Sequence, residues 1–230
     1  MVLASLVDAG LDSQDLISAF GKAKLDFFSL QENKIDRNGI CATRILIRTK
    51  KKTHYSYLEF CRVLEQSKLS NRIKKRSLVT FKNLAQAEKK VHEVKTKDFH
   101  FEQLGEIDTL ADIVGTFIAL DLLGIEKVYF SKIRLAQGGT FPHDGQNLPL
   151  PGPAVLELLR GIPVELIEAL YEYVTPTGAA LVRNLRTAAK IPPFRILSVG
   201  HGAGTKKFGL QPNLLHVIIG ETVKVSQSHS

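Results

Sequence analysis

Apolar residues recur every three or four positions along several stretches of this 230-residue chain, and that spacing predicts helices. In MVLASLVDAG the apolar face closes at Gly10, so the first ten residues form one amphipathic helix. A second follows Ser13, with Asp15 in its first turn. Residues 57–68 and 71–94 read as two more, the longer one striped by Leu78, Phe81 and Leu84. Segment 106–123 is the most apolar of all. Its only charges are Glu106, Asp108, Asp112 and Asp121, and Gly124 ends it. Between the helices, 24–35 and 39–49 alternate with a period near two around Asp36-Arg37-Asn38-Gly39. Asn-Gly tolerates positive φ at both positions, so the two segments pair as a hairpin.

The later part mixes both periods. Lys127–Leu135, KVYFSKIRL, reads as a strand, and a loop with Gly138, Gly139 and Gly145 leads into LPLPGPA. The prolines hold an extended path into the helix AVLELLRG, which Gly161-Ile162-Pro163 breaks. A short helix is expected over Val164–Ala169, and another from Thr175 to about Lys190-Ile191-Pro192-Pro193. Strands Phe194–Val199 and Asn213–Ile219 flank a glycine loop at 200–204. No internal repeat is present, so the expected class is α+β, a mixed sheet with packed helices. Residues 1–105 form a basic helical and hairpin segment, 106–221 a motif-bearing α/β core continuous with it, and 222–230 a frayed tail.

Hydrophobic content of 44% and charged content of 23% suit a globular chain with a sizeable core. No apolar run reaches the roughly 18 residues of a membrane span. The start lacks a basic n-region and carries Asp8 and Asp12, which argues against a signal peptide and for a cytoplasmic location. Cys41 and Cys61 form neither a metal-type pair nor a disulfide framework. The net charge of +8 lies wholly within 1–105, in Arg48-Thr49-Lys50-Lys51-Lys52, around Arg72 to Arg76, and at Lys89 and Lys90. Solvated helix faces explain this better than nucleic acid does, since no aromatic residues interleave the cations.

Three groups of residues invite chemistry. Asp108 and Asp112, four apart on an apolar helix, would ligate a metal or orient a ligating histidine; equally, Asp108 caps the helix and Asp112 meets a buried cation. His92, His100, Glu102, and His143 with Asp144 add imidazole and carboxylate donors, a set suited to nickel or zinc. Thr175, Pro176 and Gly178 make a helix start whose N–H groups suit an anion, or an ordinary capped turn. The run Gly200-His201-Gly202-Ala203-Gly204-Thr205-Lys206 offers N–H groups and, with Lys207, positive charge. It lacks the P-loop spacing, and no helix follows as a dinucleotide fingerprint requires.

Read in order, GEIDTLADIVG, LGIEKVYFSKIRL, LPLPGPAVLELLRGIPV, VTPTGAALV, and VGHGAGTKKF with PNLLHVIIGE resemble the nickel-insertion family, LarC, of nickel-pincer cofactor biosynthesis. The resemblance covers residues 85–221 and extends more weakly to Met1. It implies a CTP-dependent nickel-inserting lyase. Such an enzyme places Ni²⁺ in pyridinium-3,5-bisthiocarboxylic acid mononucleotide for lactate racemase and related enzymes, with a divalent cation accompanying CTP. By family position, His100, Glu102, Asp108, Asp112 and His143 would handle the metal. Thr175, Thr177, Gly178, Gly202, Gly204, Thr205 and Lys206 would hold the mononucleotide.

The chain departs from the family pattern at several points. The family's His-Phe-His-Glu run stands here as His100-Phe101-Glu102-Gln103, and its His-Gly is spread over His143-Asp144-Gly145. A tyrosine common in its glycine run is His201. The family opens with a strand ahead of Met1 and carries a nucleotide-binding domain beyond Glu221. A separate C-terminal nucleotide-binding subunit, an uncovered sheet edge near the first helix, and a homo-oligomer are therefore expected. A non-enzymatic nickel- or mononucleotide-binding protein that needs a partner is the alternative. A nucleic-acid-binding module on residues 48–97 is a distant third.

Overall fold

The computed structural model describes residues 1–23, 28–49, 56–91, 107–143, 146–187, 190–206, 209 and 211–223. Helix α1 (Val2–Asp8) and helix α2 (Ser13–Lys22) form where the apolar spacing places them. Asp12 caps α2 by accepting the Gln14 N–H at 2.8 Å. Strands β1 (Phe28–Arg37) and β2 (Ile40–Thr49) pair antiparallel through ten residue pairs. Their turn has Asn38 at φ 55° and Gly39 at φ 83°, both in the left-handed region that Asn-Gly accepts cheaply. Helix α3 (Tyr57–Gln66) starts with a full capping box, Ser56 and Glu59 each accepting the other's backbone N–H.

Helix α4 (Asn71–Val91) buries Ile73, Phe81, Leu84 and Ala87, and Phe81 stacks on Phe60 with centroids 4.8 Å apart. Its cations lie off that stripe: Arg72, Lys75, Lys89 and Lys90 are exposed, and Lys90 pairs with Glu157 at 2.8 Å. Helix α5 (Ile107–Leu122) is the core's centre. Leu110, Ala111, Ile113, Val114, Phe117 and Ile118 are buried on nearly every side, because α1, α2, α4 and α7 (Pro176–Leu185) all pack against it. A single apolar cluster runs from Leu3 through Phe81 and Val114 to Leu185 and so includes residues from both sides of position 105.

The class is α+β, as the sequence predicts. The main sheet has the order β1-β2-β7-β8, with β7 (Phe194–Ala203) and β8 (Leu214–Thr222) antiparallel. Strand β2 joins β7 in parallel at one pair, Thr43 and Gly202. Strands β3 (Ile133–Gln137) and β6 (Val164–Glu168) form a parallel pair, and β4 (Thr140–His143) pairs antiparallel with β5 (Gln146–Pro149). Helix α6 (Pro153–Leu158) follows β5 after a cis Leu150–Pro151 bond.

Five local expectations are corrected. Residues 127–132 are not strand. Only Val128 bridges there, to Arg186, and the ladder begins at Ile133 because its partner begins at Val164. Of the loop expected across Gly138 to Gly145, residues 140–143 form strand β4 and pair with β5, while Gly138 and Gly139 keep the turn before it. Val164–Glu168 is a strand and not a helix. Five residues beyond Pro163 are too few to nucleate a helix, whereas in-register pairing with β3 satisfies their backbone. Helix α7 stops at Leu185, because Arg186 turns extended and Thr187 donates its N–H to Val128 O at 2.7 Å.

The glycine run is the fifth. Gly200, His201, Gly202 and Ala203 continue β7 rather than looping. A Cβ on Gly200 or Gly202 would run into the backbone of Ser5 or Met1, so these glycines let α1 lie directly on the strand. Ser198 fixes the contact by donating its hydroxyl to Ala9 O at 2.8 Å.

Candidate functional site

Thr175 caps α7, its Oγ1 accepting the Gly178 N–H at 3.3 Å, with Pro176 at the first helical position. That bond engages the Gly178 N–H, so at this helix start Thr177 carries the remaining N–H of the first turn. Segments that the sequence scatters meet just upstream. A Cβ on Gly139 would stand 3.4 Å from Leu150 Cδ1 and 3.7 Å from Ala169 O, and one on Gly152 would stand 3.5 Å from Glu172 Oε1. The β3–β4 turn, the Leu-Pro-x-Pro segment and residues 169–172 are therefore in mutual contact. Tyr173 donates its hydroxyl to Gln211 Oε1, and Gly209 lies beside the Tyr171 hydroxyl, which joins the approach to α7 with the connection between β7 and β8.

That connection is held from three sides. Gly204 donates its N–H to Asn213 O at 3.1 Å and accepts the Arg37 guanidinium at 2.8 Å, while Asn213 Nδ2 donates to Lys206 O at 3.0 Å. Gly202 and Gly204 thus serve strand and turn with their backbones, and Thr205 and Lys206 project as exposed side chains.

Asp108 and Asp112 occupy consecutive turns of α5. Asp108 is exposed and Asp112 partly buried. Burial pushes the Asp112 carboxyl above the ordinary carboxylate range, and the nearby Met1 amino group offsets part of that rise. His143 closes β4. His92, His100, Glu102, Asp144, Gly145 and Lys207 lie outside the described residues. Among the described residues no three His, Cys, Asp or Glu converge as a ready metal site. A shallow depression of about 690 Å³ lined by Lys190, Pro192, Phe194 and Val223 contains none of the candidate residues.

One polar cluster was not foreseen. Asp8, at the last turn of α1, accepts Lys34 Nζ and Thr43 Oγ1, both at 2.6 Å on Oδ1, and the His201 N–H at 2.7 Å on Oδ2. Burial raises its pKa, but the hydrogen bonds from Lys34, Thr43 and His201 outweigh that and hold it below the usual range. His201 in turn meets His216 across the β7–β8 ladder, Nδ1 to Nδ1 at 2.7 Å. Asp8 is a charge at the end of an otherwise apolar helix face, which is the only mark it leaves in the sequence.

These elements define an α+β protein whose loops meet on the approach to one helix and whose sheet carries a separate carboxylate–histidine cluster. The chain belongs to the nickel insertion protein family, whose description matches residues 1–230. A relative from Geotalea uraniireducens, named for nickel insertion, is 38% identical over 229 residues, covering 98% of this chain and 58% of its own length. One from Geobacter sulfurreducens is 39% identical over 225 residues, covering 96% and 58%. The pyridinium-3,5-bisthiocarboxylic acid mononucleotide nickel insertion protein of Geobacillus kaustophilus is 33% identical over 240 residues, covering 99% and 58%. The chain therefore spans less than two thirds of the length of these relatives. No solved structure matches it. Among the described residues no helix is long and apolar enough to cross a membrane.

Proposed function

We propose that this chain takes part in inserting Ni²⁺ into pyridinium-3,5-bisthiocarboxylic acid mononucleotide, as the portion of a CTP-dependent nickel-inserting lyase that binds precursor and metal. The observation that carries this reading is the meeting of the segments that connect the family's motifs. Residues 139 and 152 lie against 169–172, and 209–211 against 171–173, on the approach to α7, with up to 38 positions between the partners. The mononucleotide phosphate would sit at the Thr175–Gly178 helix start, where the Thr177 N–H and the helix dipole favour an anion, with Thr205 and Lys206 closing the far side. Gly202 and Gly204 support that wall through their backbones. Imidazole and carboxylate donors from His100, Glu102, Asp108, Asp112 and His143 would carry Ni²⁺. As bonds from these harder N and O donors break, bonds to the two softer thiocarboxylate sulfurs form, and that ligand preference drives transfer.

CTP and its divalent cation would be handled by a nucleotide-binding part corresponding to the remaining length of the relatives, in the same chain or as a separate subunit. Residues 1–221 act as one unit in this reading, in the cytoplasm, and self-association is a further expectation. The test is to incubate pure protein with precursor, Ni²⁺ and CTP, with and without a nucleotide-binding partner, and to follow the nickel-pincer product by mass. Product that requires the partner supports a divided enzyme. A chain that forms no product in either case and leaves the precursor unbound would remove the proposal. Nucleic-acid binding is not favoured, because the cations of α4 are spread off its buried stripe and one of them is paired to Glu157.

A further inference from the structure

His201 and His216 stand directly opposite one another on β7 and β8, with rings at 80° to each other and centroids 4.7 Å apart. We propose that this pair is a binding site for a divalent transition ion, Ni²⁺ in the first place, held by the two Nδ1 atoms with its other coordination positions open. The choice of Ni²⁺ among such ions rests on the nickel-insertion reading above; the site itself does not, and neither histidine is among the metal handlers proposed there.

Side chains alternate along a strand, and Gly200 and Gly202 face α1, so the His201 ring points to the opposite face of the sheet. His216 joins it there and is exposed. Nothing in the packing of an exposed strand face requires imidazole at two facing positions. The rings are nevertheless turned so that the same nitrogen of each converges at 2.7 Å. In that contact one Nδ1 carries the proton and the other accepts it. When both rings are neutral, an entering ion takes both Nδ1 lone pairs and the proton moves to Nε2 of its own ring. Charge and proton number then balance without any co-reactant.

The distance favours one kind of ion. Metal–imidazole bonds are about 2.0–2.1 Å long, so two ligands at right angles have nitrogens about 2.8–3.0 Å apart, and two tetrahedral ligands are about 3.3–3.4 Å apart. From 2.7 Å, the right-angled arrangement of octahedral or square-planar Ni²⁺ needs only a few tenths of an ångström of opening. Small ring rotations supply that while the backbone stays fixed. The His201 N–H is tied to Asp8 Oδ2 at 2.7 Å, and both histidines belong to the β7–β8 ladder. Two imidazoles, with no third ligand among the described residues, hold an ion loosely and leave most of its sites for an incoming chelator. Such a site loads and releases; it does not store.

The experiment is calorimetric titration of Ni²⁺ into the whole chain without precursor or CTP, compared with His201→Ala and His216→Ala. At sub-stoichiometric Ni²⁺, imidazole NMR resonances are followed in parallel. One Ni²⁺ equivalent lost or weakened at least tenfold in each variant, with His201 and His216 broadened first in the parent protein, is the expected result. His216→Gln, at an exposed strand position, replaces either variant that does not fold. Unchanged Ni²⁺ stoichiometry and affinity in the variants, or a pair that responds to Zn²⁺ but not to Ni²⁺, would overturn the proposal. Because no precursor is present, this outcome is independent of whether nickel insertion itself is observed.

Discussion

The Asp8 carboxylate and the His201 backbone N–H, 193 positions apart in sequence, are joined by a 2.7 Å hydrogen bond. Helix α1 and strand β7 therefore share a partly buried polar anchor as well as close backbone packing at Gly200 and Gly202. Lys34 and Thr43 fill the second oxygen of the same carboxylate, so one side chain ties a helix to two hairpins. Asp8→Ala should cost about 2–3 kcal/mol in urea unfolding, from the bonds to Thr43 and His201 that it strands; Lys34 is largely solvated and adds little. A loss under about 0.5 kcal/mol would mean that the cluster is ornamental.

The acid limb of stability gives a second measurement on the same residue. The folded-state pKa of Asp8 lies below its unfolded value, because the hydrogen bonds exceed the cost of burial. Its contribution is fully present above the ordinary carboxylate pKa and is lost as pH falls through the lower folded value. The stability gap between parent and Asp8→Asn should therefore narrow in acid, read from urea midpoints between pH 7 and pH 3.

Asp112 behaves in the opposite sense. Burial raises its pKa, so the folded state binds the proton more tightly, and stability falls as pH rises from the unfolded pKa through the folded one. Asp112→Asn should raise the thermal midpoint at pH 7 and change it little in acid, while reducing nickel transfer if the carboxylate handles the ion. A variant less stable at pH 7 would show that the charged form has an unseen partner.

Gly202→Ala tests the contact between α1 and β7. The added methyl would meet the Met1 and Ser5 backbone, which cannot swing aside as a side chain can. A destabilisation of about 3 kcal/mol is expected by chemical unfolding. Gly21→Ala, where a Cβ meets nothing within 4 Å, should be neutral or mildly stabilising and serves as the control.

Thr175→Ala and Lys206→Ala separate scaffold from ligand effects. The first removes a cap and should cost about 1 kcal/mol of stability along with precursor affinity. The second, at an exposed position, should leave stability unchanged and weaken precursor binding several-fold in calorimetry. Equal precursor affinity in both variants and the parent would remove the phosphate from this helix start.

Local chemistry explains what the sequence disclosed. Helices α1, α2, α3 and α4 and the Asn38–Gly39 hairpin were legible because caps, periodicity and turn residues act within a few positions. Strand β6 was hidden because VELIE is short and its state depends on β3, 31 positions earlier at Ile133 and Val164. The continuation of β7 was hidden because glycine reads as a loop unless one knows that α1 must pass over it. The Asp8 cluster depends on tertiary contacts with residues 26, 35 and 193 positions away, and no local pattern encodes those. The pairing of His201 with His216 likewise required the register of two strands.

The main sheet also imposes an order of events on synthesis. Helix α1 and the β1–β2 hairpin leave the ribosome early, yet the strand that joins them at Thr43 and Gly202 is translated some 160 codons later. At the roughly 5–20 residues per second of translation, that interval lasts about ten to thirty seconds. Throughout it, Ser5 of α1 and Ala9 at its end stand over a strand not yet made, and the Asp8 carboxylate lacks the His201 N–H. The nascent chain is most exposed to chaperones and proteases in that window, and the last hairpin to emerge is the one that closes it.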